Sequence, residues 1–132
     1  MSLEILERHF GEALPLLVSV SERGTPIAQR IAGLLEREGA QPYLYRHDES
    51  FLSAQPILLI DDVLYTGQTL LRKLLRLAGD TIPAQVEVLV LVDRGHRRYP
   101  ISPDYVGVQL ATTLQQFVEV RPRNGSWEVW LH

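Results

Sequence analysis

The sequence predicts an α/β domain with an open, mostly parallel sheet flanked by helices, and three observations carry that prediction. Short apolar runs alternate with amphipathic helical stretches between residues 15 and 92, the signature of successive strand–helix crossovers. The run at 57–60 is Ile-Leu-Leu-Ile, apolar throughout, as expected of a strand covered on both faces. Beyond residue 92 the pattern changes to short strand-like segments at 105–110, 117–120 and 127–131, separated by turn signals such as Asn124-Gly125. This tail reads as a sheet edge or a small cap over the site. With 132 residues, the chain is long enough to bury a core as one domain, 1–132.

Taken in order, residues 3–14 place Leu3, Leu6, Phe10 and Leu14 on one helical stripe. Residues 15–20 read as a buried strand and 21–26 as a loop, with Thr25 as N-cap and Pro26 in the first turn. The helix that follows turns Ile27, Ile31, Leu34 and Leu35 inward and stops at Gly39. Residues 42–46 are expected to form a second strand, 57–60 a third and 86–92 a fourth. A helix at 70–78 stands between the last two and ends near Gly79.

Composition removes several function classes. There is no cysteine, so disulfides, thiolate nucleophiles and zinc–cysteine sites are excluded. No apolar stretch approaches the length of a membrane span. Glu4, Glu7 and Arg8 interrupt the apolar residues at the start, unlike a signal peptide, so a cytoplasmic location is expected. A net charge of −3 gives no global attraction to nucleic acid. His9, His47, His96 and His132 show no metal-ligand spacing and read as surface or loop residues. Trp127 and Trp130 are an odd number apart and should face opposite sides of a strand, one toward the core and one toward a dimer contact.

The chemistry concentrates in residues 57–69, Ile-Leu-Leu-Ile-Asp-Asp-Val-Leu-Tyr-Thr-Gly-Gln-Thr. In open α/β sheets ligands bind beyond the carboxyl ends of strands, where strand order reverses. Asp61 and Asp62 occupy such an end. Two carboxylates suit vicinal hydroxyls and can help hold a hydrated Mg²⁺. Thr66-Gly67-Gln68-Thr69 opens a helix whose free amides favour a phosphate, and Gly67 permits close backbone approach. Each piece alone also fits a strand end or a helix cap. Their succession points to a site for a phosphorylated sugar.

That run resembles the phosphoribosyl-diphosphate motif of type I phosphoribosyltransferases. Residues 91–107, Leu-Val-Asp-Arg-Gly-His-Arg-Arg-Tyr-Pro-Ile-Ser-Pro-Asp-Tyr-Val-Gly, resemble the pyrimidine-operon attenuator proteins that are also uracil phosphoribosyltransferases. So do residues 44–48 and the Val-Leu-Tyr of the central motif. The resemblance spans about residues 16–120 and implies a type I phosphoribosyltransferase-like sheet with a reduced hood. It implies that Asp61 and Asp62 contact the ribose hydroxyls of phosphoribosyl diphosphate and hold Mg²⁺ through water. Tyr65, Thr66, Gly67, Gln68 and Thr69 would bind the 5-phosphate. The loop 21–24, with Arg23 and Gly24, would take the pyrophosphate. Arg94, Gly95 and His96, with Tyr105, Val106 and Gly107, would line the base pocket. The implied reaction transfers ribose 5-phosphate to N1 of a pyrimidine, uracil foremost, and a homodimer is the implied assembly. Tyr65 is expected either to lie against the ribose phosphate or to pack at the helix start.

Three features depart from that pattern. Only eight residues separate Asp48 from Ile57, where the family carries a long closing loop. Glu22 puts a carboxylate into the pyrophosphate loop. The N-terminal helical region is short. The alternative reading is therefore a non-catalytic module that binds phosphoribosyl diphosphate or a nucleotide. RNA binding through Arg94, His96, Arg97 and Arg98 is a weaker alternative, disfavoured by the acidic balance of the chain.

Overall fold

The computed structural model describes residues 1–45, 55–79 and 82–132. In chain order the elements are α1 (Ser2–Arg8), β1 (Leu16–Ser19), α2 (Thr25–Arg37), β2 (Ile57–Leu64), α3 (Gln68–Ala78), β3 (Val86–Asp93), β4 (Tyr105–Gln109), β5 (Val118–Arg123) and β6 (Ser126–Leu131). Strands β1 to β4 form a parallel sheet in that order, and β5 and β6 form a separate antiparallel hairpin. This is the α/β architecture that the alternating pattern predicts.

Strand alternation divides the core into two layers. Leu58, Ile60, Leu89 and Leu91 face one side, where Ile27, Ile31 and Leu35 of α2, Ile5 of α1 and Val118 of the hairpin cover them. Ile57, Leu59, Val88 and Val90 face the other, under Leu70 and Leu77 of α3. The chain reaches these two faces by a reversal. After α2, residues 43–45 pair beside β1 on its outer side through Leu44 and Leu17, and the next strand, β2, pairs on its inner side. Leu17 donates to the Tyr43 carbonyl and accepts from the Tyr45 amide at 2.9 and 2.8 Å. The sheet therefore changes direction between β1 and β2, and a crevice opens beyond their carboxyl ends.

Several boundaries differ from the expectations. The first helix ends at Arg8 rather than Leu14, because the chain turns at Gly11, where φ is +78°. Its buried face is Ile5 and the neighbouring His9, while Leu3 and Phe10 are exposed. The N-cap of α2 is Gly24, one residue before Thr25, whose hydroxyl instead reaches the Ser19 hydroxyl at 3.2 Å. Leu34 is only half-buried. The strand expected at 42–46 is a single bridge at Leu44, and residue 46 lies outside the described residues. So do His47, Asp48 and most of the link to Ile57. Strand β2 continues four residues past Ile60, which places Asp61 and Asp62 within the strand. Strand β4, expected in the tail, completes the parallel sheet. The tail hairpin closes on Asn124-Gly125, both at positive φ. No helix among the described residues is long and apolar enough to cross a membrane.

Candidate active site

The crevice is built from three loops that follow β1, β2 and β3. The first is pressed onto β2. A side chain on Gly24 would stand 2.5 Å from the Ile60 carbonyl, so only glycine lets residues 21–24 lie this close. That contact brings the Ser21 hydroxyl to Asp61, where it donates to Oδ1 at 3.1 Å. The Asp62 amide donates to the same oxygen at 2.9 Å, and the Val63 amide donates to Asp62 Oδ1 at 2.8 Å.

Both carboxylates are buried, with 5% and 9% of their surface exposed. Burial raises the Asp61 pKa to about 7, and the neighbouring charge of Asp62 adds to the rise. The hydrogen bonds from Ser21 and the Asp62 amide oppose it without cancelling it. Asp61 is thus a carboxyl that takes or releases a proton near neutrality, when a cation or polar ligand arrives.

Asp61 lies at one end of a cavity of about 290 Å³ whose wall is Tyr65, Thr66, Gly67, Gln68 and Thr69. Gly67 sits at φ +92° as the N-cap of α3, and the Gln68 amide donates to the Thr66 hydroxyl at 3.2 Å. The turn is held from behind. A side chain on Gly67 would meet Ile101 at 3.2 Å. The Thr66 carbonyl accepts from the Arg98 and Tyr99 amides at 2.9 and 3.1 Å. Arg97 donates to the Tyr65 carbonyl at 2.7 Å and pairs with Asp93 at 2.8 Å. A helix N-terminus behind a braced turn of this kind fits a phosphate group.

Asp62, one residue on, faces the other side of the strand. It lines a second depression, of about 320 Å³, with Arg23, Pro26, Glu119 and Trp127. The two carboxylates therefore open on two adjoining depressions, and the loop 21–24 bridges them through Ser21 and Arg23. The two carboxylates are not at a strand end, where a bend could turn both to one face, because β2 continues to Leu64. Glu22 is exposed and lines neither depression.

The domain family described as phosphoribosyl transferase matches residues 2–122. The chain belongs to the phosphoribosyltransferase family. Among its relatives, the bifunctional protein PyrR of Clostridium acetobutylicum is 36% identical over 140 residues, which cover 89% of this chain and 79% of that one. The bifunctional protein PyrR of Deinococcus radiodurans is 38% identical over 141 residues, covering 89% and 77%. Of solved structures, the hypoxanthine phosphoribosyltransferase of Trypanosoma cruzi matches with a TM-score of 0.72 at 22% identity, covering 89% of this chain and 75% of that one. That likeness shows the shared fold.

Within this phosphoribosyltransferase, Asp61 and the segment from Tyr65 to Thr69 line one depression, and Arg23 and Asp62 line the other. The residues expected at the base pocket divide. Arg94, Gly95 and His96 follow β3 at the carboxyl edge, beside Tyr65. Tyr105 and Val106 do not reach that edge. The register pairs Tyr105 with Leu89 and Val106 with Val90, deep in the sheet. Tyr105 is fully buried and donates to Glu87 at 2.8 Å, in a cluster with His9. Val106 packs against the α3 layer. Gly107 is required by close packing, since a side chain there would stand 2.6 Å from the Leu91 carbonyl. His9, expected at the surface, is buried against Glu87. Trp127 packs on the core, and Trp130 is exposed with Arg121 over its ring at 4.6 Å.

For a metal, the carboxylates are the donors to test. Among the described residues no group of three or more His, Cys, Asp or Glu side chains could cage an ion. Two carboxylates at the crevice fit Mg²⁺, which keeps most of its waters and completes its shell with substrate oxygens. The motifs point to loop 21–24 and to Arg97 but not to their contacts, which depend on position: Ser21 touches a carboxylate across the crevice, and Arg97 and Ile101 brace the turn.

Proposed function

We propose that this chain transfers ribose 5-phosphate from phosphoribosyl diphosphate to a pyrimidine base, uracil foremost, and releases pyrophosphate. The observation that carries the reading is the adjacency of a buried carboxylate at Asp61 to the braced, amide-rich turn from Tyr65 to Thr69, on one 290 Å³ cavity. Likeness to bifunctional PyrR proteins over 89% of the chain supports the pyrimidine as acceptor.

In this reading the turn amides and the N-terminus of α3 hold the 5-phosphate, Asp61 accepts hydrogen bonds from the ribose hydroxyls, and Asp62 faces the pyrophosphate side beside Arg23. Arg23 draws the pyrophosphate to the loop 21–24. The base nitrogen gives up its proton to solvent and forms its bond to the anomeric carbon as the bond to pyrophosphate breaks, so positive charge develops on the ribose ring. Buried carboxylates stabilise that charge more than water would. Asp61 sheds its proton as the site fills, since only the carboxylate form serves. Bound Mg²⁺ would neutralise the departing pyrophosphate. Gly95 and His96 form the base side of the crevice. The same reading takes the cytoplasm as compartment and a homodimer as assembly.

A second reading, binding without turnover, is favoured by one observation. The alignments run over 140 and 141 positions yet draw on 89% of a 132-residue chain, so the relatives hold residues that this chain lacks. The experiment is pyrophosphate release from phosphoribosyl diphosphate and Mg²⁺, with uracil and with other bases. Uracil-dependent release that disappears in the Asp61→Asn/Asp62→Asn double variant supports transfer. Calorimetric binding of phosphoribosyl diphosphate with no release for any base supports the second reading. Absence of both would sink the two together.

A further inference from the structure

The side chain of Arg94 has a role that its place beside the base does not describe. It is 7% exposed, although it sits in a loop at the edge of the crevice. Its guanidinium donates to the Thr112 hydroxyl at 3.2 Å and to the Thr113 and Gln116 carbonyls at 3.0 and 2.7 Å. Thr112 returns a hydrogen bond to the Arg94 carbonyl at 2.9 Å. The guanidinium carbon also stands 4.1 Å from the centroid of the Tyr65 ring. His96 closes the same cage, with its ring edge-on to Tyr65 at 5.5 Å and Nε2 at 2.5 Å from the Thr112 carbonyl. The Arg94 amide, in turn, donates to the Leu64 carbonyl at 3.0 Å.

We propose that Arg94 is a positioning residue: by clamping segment 112–116 onto the face of Tyr65, it fixes the start of the phosphate-binding turn. This rests on the reading of residues 65–69 as the 5-phosphate site. Three of the five guanidinium donors, on Nε and one terminal nitrogen, are engaged by segment 112–116. The guanidinium acts through Tyr65, the first residue of the turn, and the planar fork is what lets one side chain serve three acceptors and a ring face at once. Lysine keeps the charge and loses both the fork and the stack.

Two measurements on the same proteins separate this proposal from the reading beneath it. Hydrogen exchange on the ligand-free protein reads the turn directly. Arg94→Lys is expected to speed exchange of the amides at 66–69 by tenfold or more, and Tyr65→Leu should do the same while Tyr65→Phe keeps exchange slow. The gentler Thr112→Val, which removes one acceptor, should give a smaller change in the same direction and guards against a poorly folded Arg94 variant. Calorimetry then gives the affinity for phosphoribosyl diphosphate. Arg94→Lys and Tyr65→Leu should each weaken it about tenfold, and the double variant should lose no more than either alone. Additive losses would mean that Arg94 contacts the ligand itself and would overturn the proposal. Unchanged exchange at 66–69 in every variant would overturn it as well. Wild-type protein that binds no phosphoribosyl diphosphate, yet shows the exchange effect, would sink the functional reading and leave the clamp standing.

Discussion

Asp61 is the residue whose environment asks most of its chemistry. Burial and Asp62 raise its pKa to about 7, so the folded chain prefers the neutral acid where the unfolded chain ionises near the ordinary value of 3.8. The linkage then runs in one direction. The stabilisation relative to the ionised form is complete below pH 4 and is lost as pH rises through 7, an effect on the order of a few kcal/mol. The ligand-free protein is expected to melt at falling temperature between about pH 4 and 7 and to level off above, and Asp61→Asn to flatten that fall. A profile unchanged by the substitution would mean that another group titrates. Ligand binding has the opposite sign, because a cation or a ribose hydroxyl needs the carboxylate. Calorimetry between pH 6 and 8 should show affinity for Mg²⁺ with phosphoribosyl diphosphate rising with pH in the wild type. Gly24 makes a second case. Gly24→Ala puts a methyl group 2.5 Å from the Ile60 carbonyl, a backbone atom that cannot step aside, and should cost about 1–3 kcal/mol in denaturant unfolding. The acidic pair and the glycine turn were legible in the sequence because chemistry of that kind has a local signature. The Ser21–Asp61 contact and the burial of Tyr105 were not, since both depend on the register of strands far apart in the chain.

Among the elements, α1 shows how a periodic reading goes astray. Leu3, Leu6, Phe10 and Leu14 share a helical stripe only if the helix is long enough to present it, and the turn at Gly11 ends it first. The seven-residue helix instead anchors by Ile5, which is wholly buried, and by the neighbouring His9, one helical turn on, against Glu87. Ile5→Ala should therefore cost about 2–4 kcal/mol, whereas Leu3→Ala at an exposed position should stay within about 0.5 kcal/mol. Equilibrium unfolding in urea distinguishes them, and equal costs would restore the longer stripe. Helices α2 and α3 were placed to within two residues, because each ends at a glycine of positive φ, Gly39 and Gly79, that the sequence displays. The sequence places strand β4 with the tail because its exposed positions carry no continuous apolar run. An edge strand needs only one covered side, and its sequence says little about which sheet it joins.

For the molecule as a whole, the sheet reversal between β1 and β2 and the distribution of charge decide what the crevice can attract. The reversal gathers loop 21–24, the two carboxylates and the phosphate turn at one edge, which explains why motifs forty residues apart in sequence form one site. Charge works more selectively than the net value of −3 conveys. Of the three arginines in the loop after β3, Arg94 is spent on segment 112–116 and Arg97 on Asp93 and the Tyr65 carbonyl. Arg98 is the exposed one. A loop that reads as a basic patch in the sequence is thus, in the fold, mostly an internal brace. Each phosphate neutralised by a protein cation steepens the salt dependence of nucleic-acid binding by nearly one unit of slope. With one exposed arginine, this loop should give RNA binding that is weak and has a log–log salt slope no steeper than about −1. Filter binding of an RNA hairpin across a salt series measures that slope. A slope of about −4 or steeper, reduced by Arg98→Ala, would mean that more of the loop turns outward on RNA than the brace permits, and Arg97 would have to leave Asp93 to do so.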